Sequence, residues 1–122
     1  MQRLDFRAMG CHMTAVFDAD RPMATLDAVP EWFEAWEQTF SRFRADSELS
    51  QLNRRAGQWT RVSANLWEVT HLALIAARWT DGLFSPTILN ALEAAGYDRT
   101  FDEITADAPS IVAQPDGQWQ SI

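Results

Sequence analysis

Apolar residues recur along this chain with two distinct periods, and the change of period marks its elements. From Cys11 to Asp18 the residues alternate, with Met13, Ala15 and Phe17 set against His12, Thr14 and Val16. Period two predicts a strand with one face buried. Leu26, Val29, Phe33, Trp36, Phe40 and Phe43 then follow at spacings of three and four, while Glu31, Glu34 and Glu37 fall elsewhere. That spacing places all six apolar residues on one helix face. Pro30 interrupts the run, and because proline has no amide hydrogen the helix should start or bend there.

Ser47 stands where an N-cap oxygen serves the amides of Leu49 or Ser50, opening a short helix through Leu52 that ends near Gly57. Trp59 to Val62 reads as a short strand. Ser63 caps a second long helix that carries Leu66, Val69, Ala73, Ala76 and Trp79 on one face, and Asp81-Gly82 stops it. Pro86 suits the first turn of a third helix running through Ala95, with Gly96 supplying the left-handed cap. Beyond Asp102 the chain turns polar and irregular until Ile111. Pro115-Asp116-Gly117 is a turn signal that should lead into an opening strand around Trp119.

Composition narrows the function classes. In 122 residues, 47% are apolar and 11% aromatic, enough for one domain with a core and unlike a disordered chain. Six tryptophans need either a deep core or a partner to cover them. The formal net charge of −7 argues against a nucleic-acid or anionic-membrane binder, since phosphate-dense partners are held by basic patches. All ten basic residues are arginines, and Arg42, Arg44, Arg54, Arg55 and Arg61 cluster where only Asp46 and Glu48 oppose them. This stretch reads either as a solvated arginine face or as a landing place for an anionic ligand.

A single cysteine, Cys11, permits no internal disulfide and, lying in a strand, reads as a small buried hydrophobe rather than a nucleophile. His12 and His71 read as ordinary strand and helix residues, since nothing at ligand spacing accompanies them. Residues 1–10 hold no apolar core of a signal sequence, and no run reaches the roughly 20 apolar residues of a membrane span, so the expected location is cytoplasmic.

Four ordered motifs then stand out: Ala8-Met9-Gly10; Phe40-Ser41-Arg42-Phe43 with Asp46-Ser47-Glu48-Leu49 and Leu52-Asn53; Thr80-Asp81-Gly82-Leu83-Phe84-Ser85-Pro86-Thr87; and Gly96-Tyr97-Asp98. Their order and spacing resemble the ApbE-type flavin transferases from Met9 to about Phe101. The resemblance implies an FAD:protein FMN transferase, which uses a metal, usually Mg2+, to move FMN from FAD onto a threonine hydroxyl of an acceptor flavoprotein, releasing AMP. By the same resemblance Met9 packs on the flavin, Phe43 lies against the isoalloxazine, and Leu83, Phe84 and Ser85 form a loop whose backbone meets the cofactor. Cys11 stands where the family more often has threonine, and Ser85 where many members have aspartate.

Relatives continue into a glycine-rich segment and supply metal ligands later. The expectation is therefore that residues 1–122 form the N-terminal part of a single flavin transferase domain, of α/β or α+β class, with helices packed on a mixed sheet completed by a complementing C-terminal half. On this reading the metal site lies in that half, no catalytic residue or metal ligand falls in this chain, and the chain by itself is inactive. The alternatives are a non-catalytic flavin-binding module or split subunit, and a helical protein-interaction domain.

Overall fold

Arg3, Asp5 and Arg7 alternate with Leu4, Phe6 and Ala8, and this second period-two stretch turns out to be a strand as well. The computed structural model describes residues 1–18, 24–104 and 118–122, and its chain divides into two compact units, Met1–Thr60 and Arg61–Ile122. In the first, β1 (Gln2–Ala8) pairs antiparallel with β2 (Cys11–Phe17), Phe6 standing opposite Met13 and Ala8 opposite Cys11. The charged residues of β1 are exposed and its apolar ones half-buried or buried. The sequence reading anticipated β2 and missed β1, whose charges masked an alternation that is plain once one face is known to be solvated.

After the short helix α1 (Ala24–Asp27), α2 (Val29–Phe40) begins with Pro30 in its first turn, as the sequence implied. The helix packs on β1 through Phe33, whose ring meets Phe6 edge-on with centroids 5.3 Å apart and meets Trp36 at 5.2 Å. Edge-to-face pairs of this kind contribute about 0.5–1.5 kcal/mol beyond the area they bury. The six-residue stripe is not one helix face. Leu26 belongs to α1, and Phe43 lies past the end of α2, where Ser41 adopts an extended conformation (φ −71°, ψ 123°).

Ser47 explains that ending. It is fully buried, with no solvent-exposed surface, and its hydroxyl donates to the Ser41 carbonyl at 2.5 Å while accepting the Ser50 amide at 3.1 Å. One side chain thereby satisfies the end of α2 and caps α3 (Glu48–Asn53). Around it, Arg44 reaches back to Glu34 (Nη2 to Oε2, 2.8 Å) and Glu37, Gln51 donates to the Asp46 carbonyl at 2.9 Å, and Arg54 donates to the Ala45 carbonyl at 2.7 Å. Residues 59–62 form no strand, and Trp59 is wholly exposed. A short apolar run without a neighbouring strand has no ladder to join.

In the second unit, α4 (Ala64–Trp79) is capped by Ser63, whose Oγ accepts the Leu66 amide at 3.2 Å, as anticipated. Its buried line runs through Leu66 and Ala77, with Thr70, Ala73 and Leu74 half-buried between them. Val69 and Trp79, assigned to the inner face by spacing, are exposed. Apolar residues surround this helix, so periodicity alone cannot name its inner face.

The Gly82 amide bonds the Ala77 carbonyl at 2.9 Å, a Schellman-type ending that confirms Asp81-Gly82 as the stop. α5 (Leu89–Ala94) starts three residues later than Pro86 implied, because Ser85 to Thr87 form a turn closed by the Ser85 hydroxyl. It ends at Gly96 as expected, with the Tyr97 amide on the Leu92 carbonyl at 2.9 Å. Phe101–Glu103 form a single 3-10 turn. The turn at Pro115-Asp116-Gly117 lies outside the described residues. Gln118–Ser121 form a 3-10 turn rather than a strand, closed by Ser121 Oγ on the Gln118 carbonyl at 2.7 Å.

The fold is thus α+β: helices with a small two-stranded antiparallel sheet among the described residues. Among the described residues the buried apolar side chains are Ala8, Leu66 and Ala77, and five of the six tryptophans remain exposed, so the core does not cover them.

Replacing Ser47 by Ala removes a cap and leaves a carbonyl short of its partner, which should cost about 1–2 kcal/mol, read as a fall in the urea midpoint at unchanged slope. Arg44 holds the Glu34 carboxyl below its ordinary value of 4.5, chiefly by hydrogen bonding. A depressed carboxylate contributes stability above its unfolded pKa and loses it as pH falls through the folded one. Arg44→Gln should therefore destabilise at neutral pH and much less well below 4.5, measured by chemical denaturation across that window.

Candidate functional site

The five residues singled out by the sequence sit on three loops. Met9 and Phe43 belong to the first unit, and Leu83, Phe84 and Ser85 to the second.

Met9 and Gly10 are the two central residues of the β1–β2 hairpin, with φ of 53° and 70°. Positive φ at both positions is the mark of a type I′ turn, which matches the twist of the strands but ordinarily recruits Asn-Gly. Holding a methionine in the left-handed region costs about 1–2 kcal/mol. Its side chain is nevertheless exposed rather than packed into the hairpin. Strain with no packing return at an exposed apolar residue is the kind of outlier that points to a role outside folding.

Phe43 is presented by the loop that Ser47 fixes. Its amide donates to Ser41 Oγ at 3.2 Å, and the Arg42 guanidinium carbon lies 4.1 Å from the centre of its ring. One face of the ring is therefore engaged in a cation–π contact, yet the residue keeps two-fifths of its surface in solvent (41%).

Leu83, Phe84 and Ser85 follow the α4 stop as one continuous loop. Leu83 is almost fully exposed (94%) and Phe84 about half. Thr80 organises the segment: its hydroxyl donates to the Ala76 carbonyl at 2.8 Å and accepts the Phe84 amide at 3.0 Å, while its carbonyl accepts the Leu83 amide at 3.1 Å. The amides of Leu83 and Phe84 are thus committed to Thr80. Ser85 is buried, its hydroxyl 3.0 Å from Thr87 Oγ1 and accepting the Thr87 amide at 3.3 Å. The surface that this loop offers is apolar side chain and backbone carbonyl.

The arginine-rich stretch resolves into individual duties. Arg44 serves Glu34 and Glu37, Arg54 the Ala45 carbonyl, and Arg42 the Phe43 ring, while Arg55 and Arg61 are exposed. Cys11 lies in β2 but is exposed, contrary to its reading as a buried hydrophobe, because it is the first residue after the turn. His71 stacks on Trp67 with centroids 5.0 Å apart and planes 7° from parallel, one helical turn along α4. A shallow concavity of about 500 Å³ on the hairpin is lined by Arg3, Asp5, Arg7, His12 and Thr14 among others, and by none of the five site residues. Its polar wall is already self-paired, with Asp5 held by Arg3 at 2.8 Å and by Thr14 at 2.6 Å.

Thr80 is a functional candidate to which the sequence gave no role, and Arg42, read there only as part of an arginine face or anion-landing stretch, is a second. Both stand in the quoted motifs, and a threonine one residue past a helix end, four before a loop amide, is the signal that could have found the first. Among the described residues, no three or more His, Cys, Asp or Glu side chains are grouped to hold a metal, and no helix is long and apolar enough to cross a membrane.

Replacing Met9 by Asn should relieve the turn and raise stability by about 1 kcal/mol, seen as a higher thermal midpoint; a fall would show that the methionine packs favourably after all.

The model of the ApbE family matches residues 9–116, a span that includes all five site residues. No curated protein and no solved structure matches the chain significantly.

Proposed function

The chain belongs to the ApbE family, and from that premise we propose that its exposed loops bind FAD for transfer of FMN to a threonine hydroxyl of an acceptor flavoprotein. The observation that carries this reading is that the family match covers Met9, Phe43, Leu83 and Phe84, and that each of these apolar side chains stands in solvent rather than in the core. A flat apolar ring system gains from aromatic and thioether contacts, and such contacts require the side chains to be held out of the core beforehand. Phe43 offers for stacking the ring face away from Arg42.

In the transfer, the threonine oxygen attacks the FMN-side phosphorus of the FAD pyrophosphate. The bond from that phosphorus to the bridging oxygen breaks, AMP leaves with the bridging oxygen, and the hydroxyl proton passes to solvent or base. The product is a phosphoester between FMN and the acceptor. Positioning and charge neutralisation dominate chemistry of this type. The described residues fit FAD through the apolar loops. They do not fit the magnesium ion that family membership implies, since no group of three or more ligating side chains occurs among them. What this chain contributes is flavin binding and orientation.

Thermal unfolding with and without FAD tests the reading, because a ligand bound only by the native state stabilises it by mass action, by about 2.7 kcal/mol at roughly 100 times its Kd, and so raises the midpoint. FAD should raise the midpoint, and Phe43→Ala and Phe84→Ala should each reduce the effect by about 1 kcal/mol. Absence of any rise at saturating FAD would sink the proposal. Incubation with FAD, Mg2+, a threonine-bearing acceptor and a family polypeptide that supplies the C-terminal, metal-binding part then separates the transferase, which leaves a covalent flavin on the acceptor, from a flavin-binding module, which leaves none.

A further inference from the structure

Trp119 lies outside the residues matched by the family, so family membership assigns it no role. Five of the six tryptophans are exposed, and Trp119 alone is half-buried. It sits in the Gln118–Ser121 turn, which packs against α4. Its indole nitrogen stands 3.3 Å from the point that a Cβ on Gly82 would occupy. Gly82 has φ of 81° and ends α4 through the Ala77 carbonyl, and the next residues are Leu83 and Phe84. The indole therefore stands beside the second of the two positive-φ residues, Asp81 and Gly82, that direct the loop away from the helix. It fills the space left by the missing side chain.

We propose that Trp119 is a positioning residue for the flavin-binding loop, its indole packed on Gly82 so as to hold Leu83 and Phe84 in the presentation that meets the isoalloxazine. The inference rests on the flavin reading above, and adds a residue that does not touch the ligand. An indole that stands 3.3 Å from where a Cβ would sit leaves the backbone at Gly82 little room to move on that side, because it is a large rigid surface held at low entropic cost. Thr80 holds the same loop from the helix side through the Leu83 and Phe84 amides. Trp119 closes it from the other chain segment.

Two readouts on Trp119→Ala, Trp119→Leu and Trp119→Phe test the proposal in the full chain. Native-state hydrogen exchange at the Gly82, Leu83 and Phe84 amides should quicken about tenfold or more in the Ala and Leu variants, while the Ser50 amide, capped by Ser47, stays at its wild-type rate. The FAD-induced rise in thermal midpoint should shrink in the same two variants, with Trp119→Phe restoring most of it. Unchanged exchange at those three amides would overturn the positioning role, as would faster exchange with an FAD response equal to wild type. A wild-type protein with no FAD response sinks the flavin reading instead, and Trp119 is then judged as a loop-positioning residue by exchange alone. Should Trp119→Ala fail to fold, the Leu variant carries the same comparison.

Discussion

The Ser47 hydroxyl bonds in two directions, and the first unit depends on both. By donating to the Ser41 carbonyl it fixes where α2 stops, and by accepting the Ser50 amide it fixes where α3 starts. A hydroxyl is suited to this task because it can donate and accept at once, whereas a carboxylate or a carbonyl can only accept. Burial raises what is at stake, since either partner left unmet in that setting costs its full desolvation penalty. The intervening loop has little freedom once both ends are tied. Phe43 is carried on it, so the placement of an exposed aromatic ring follows from a buried serine.

The other two loops are shaped by backbone conformations that side chains disfavour. Met9 and Asp81 both have positive φ, each followed by a glycine that also does. In both cases the flanking elements leave no alternative: a two-residue link between paired strands at the first, and a Schellman ending at the second. The candidate site thus draws its rigidity from element ends. The helix interiors and the hairpin face supply no site residue, although the hairpin face holds the concavity.

Local signals were the legible ones. The caps at Ser47 and Ser63, the stop at Asp81-Gly82 and the end at Gly96 rest on bonds within six residues, and the sequence states all of them. Failures came where a second segment decides. β1 was overlooked because its charged residues are explained only by a solvated face. Phe43 fits the helical spacing of α2, yet a cap from Ser47 overrides that spacing. Val69 and Trp79 fit the period of α4 as well as Thr70 and Ala77 do, and only packing distinguishes them. The strand expected at Trp119 needed a neighbour, and the residue serves Gly82 instead. For the site, ordered motifs supplied the identities, while the parts played by Thr80, Arg42 and Trp119 are products of the fold and appear only with it.

Thr80 bears on motion. Because its hydroxyl joins the last turn of α4 to the Phe84 amide, the backbone of the loop is continuous with a helix end, and displacing it means breaking those bonds. The Leu83 and Phe84 side chains, unburied, keep the rapid rotamer hopping of surface groups. A ligand settling there has only rotamers to immobilise, at about 0.5–1.5 kcal/mol for each side chain, and no backbone to order. The loop combines a still frame with restless tips.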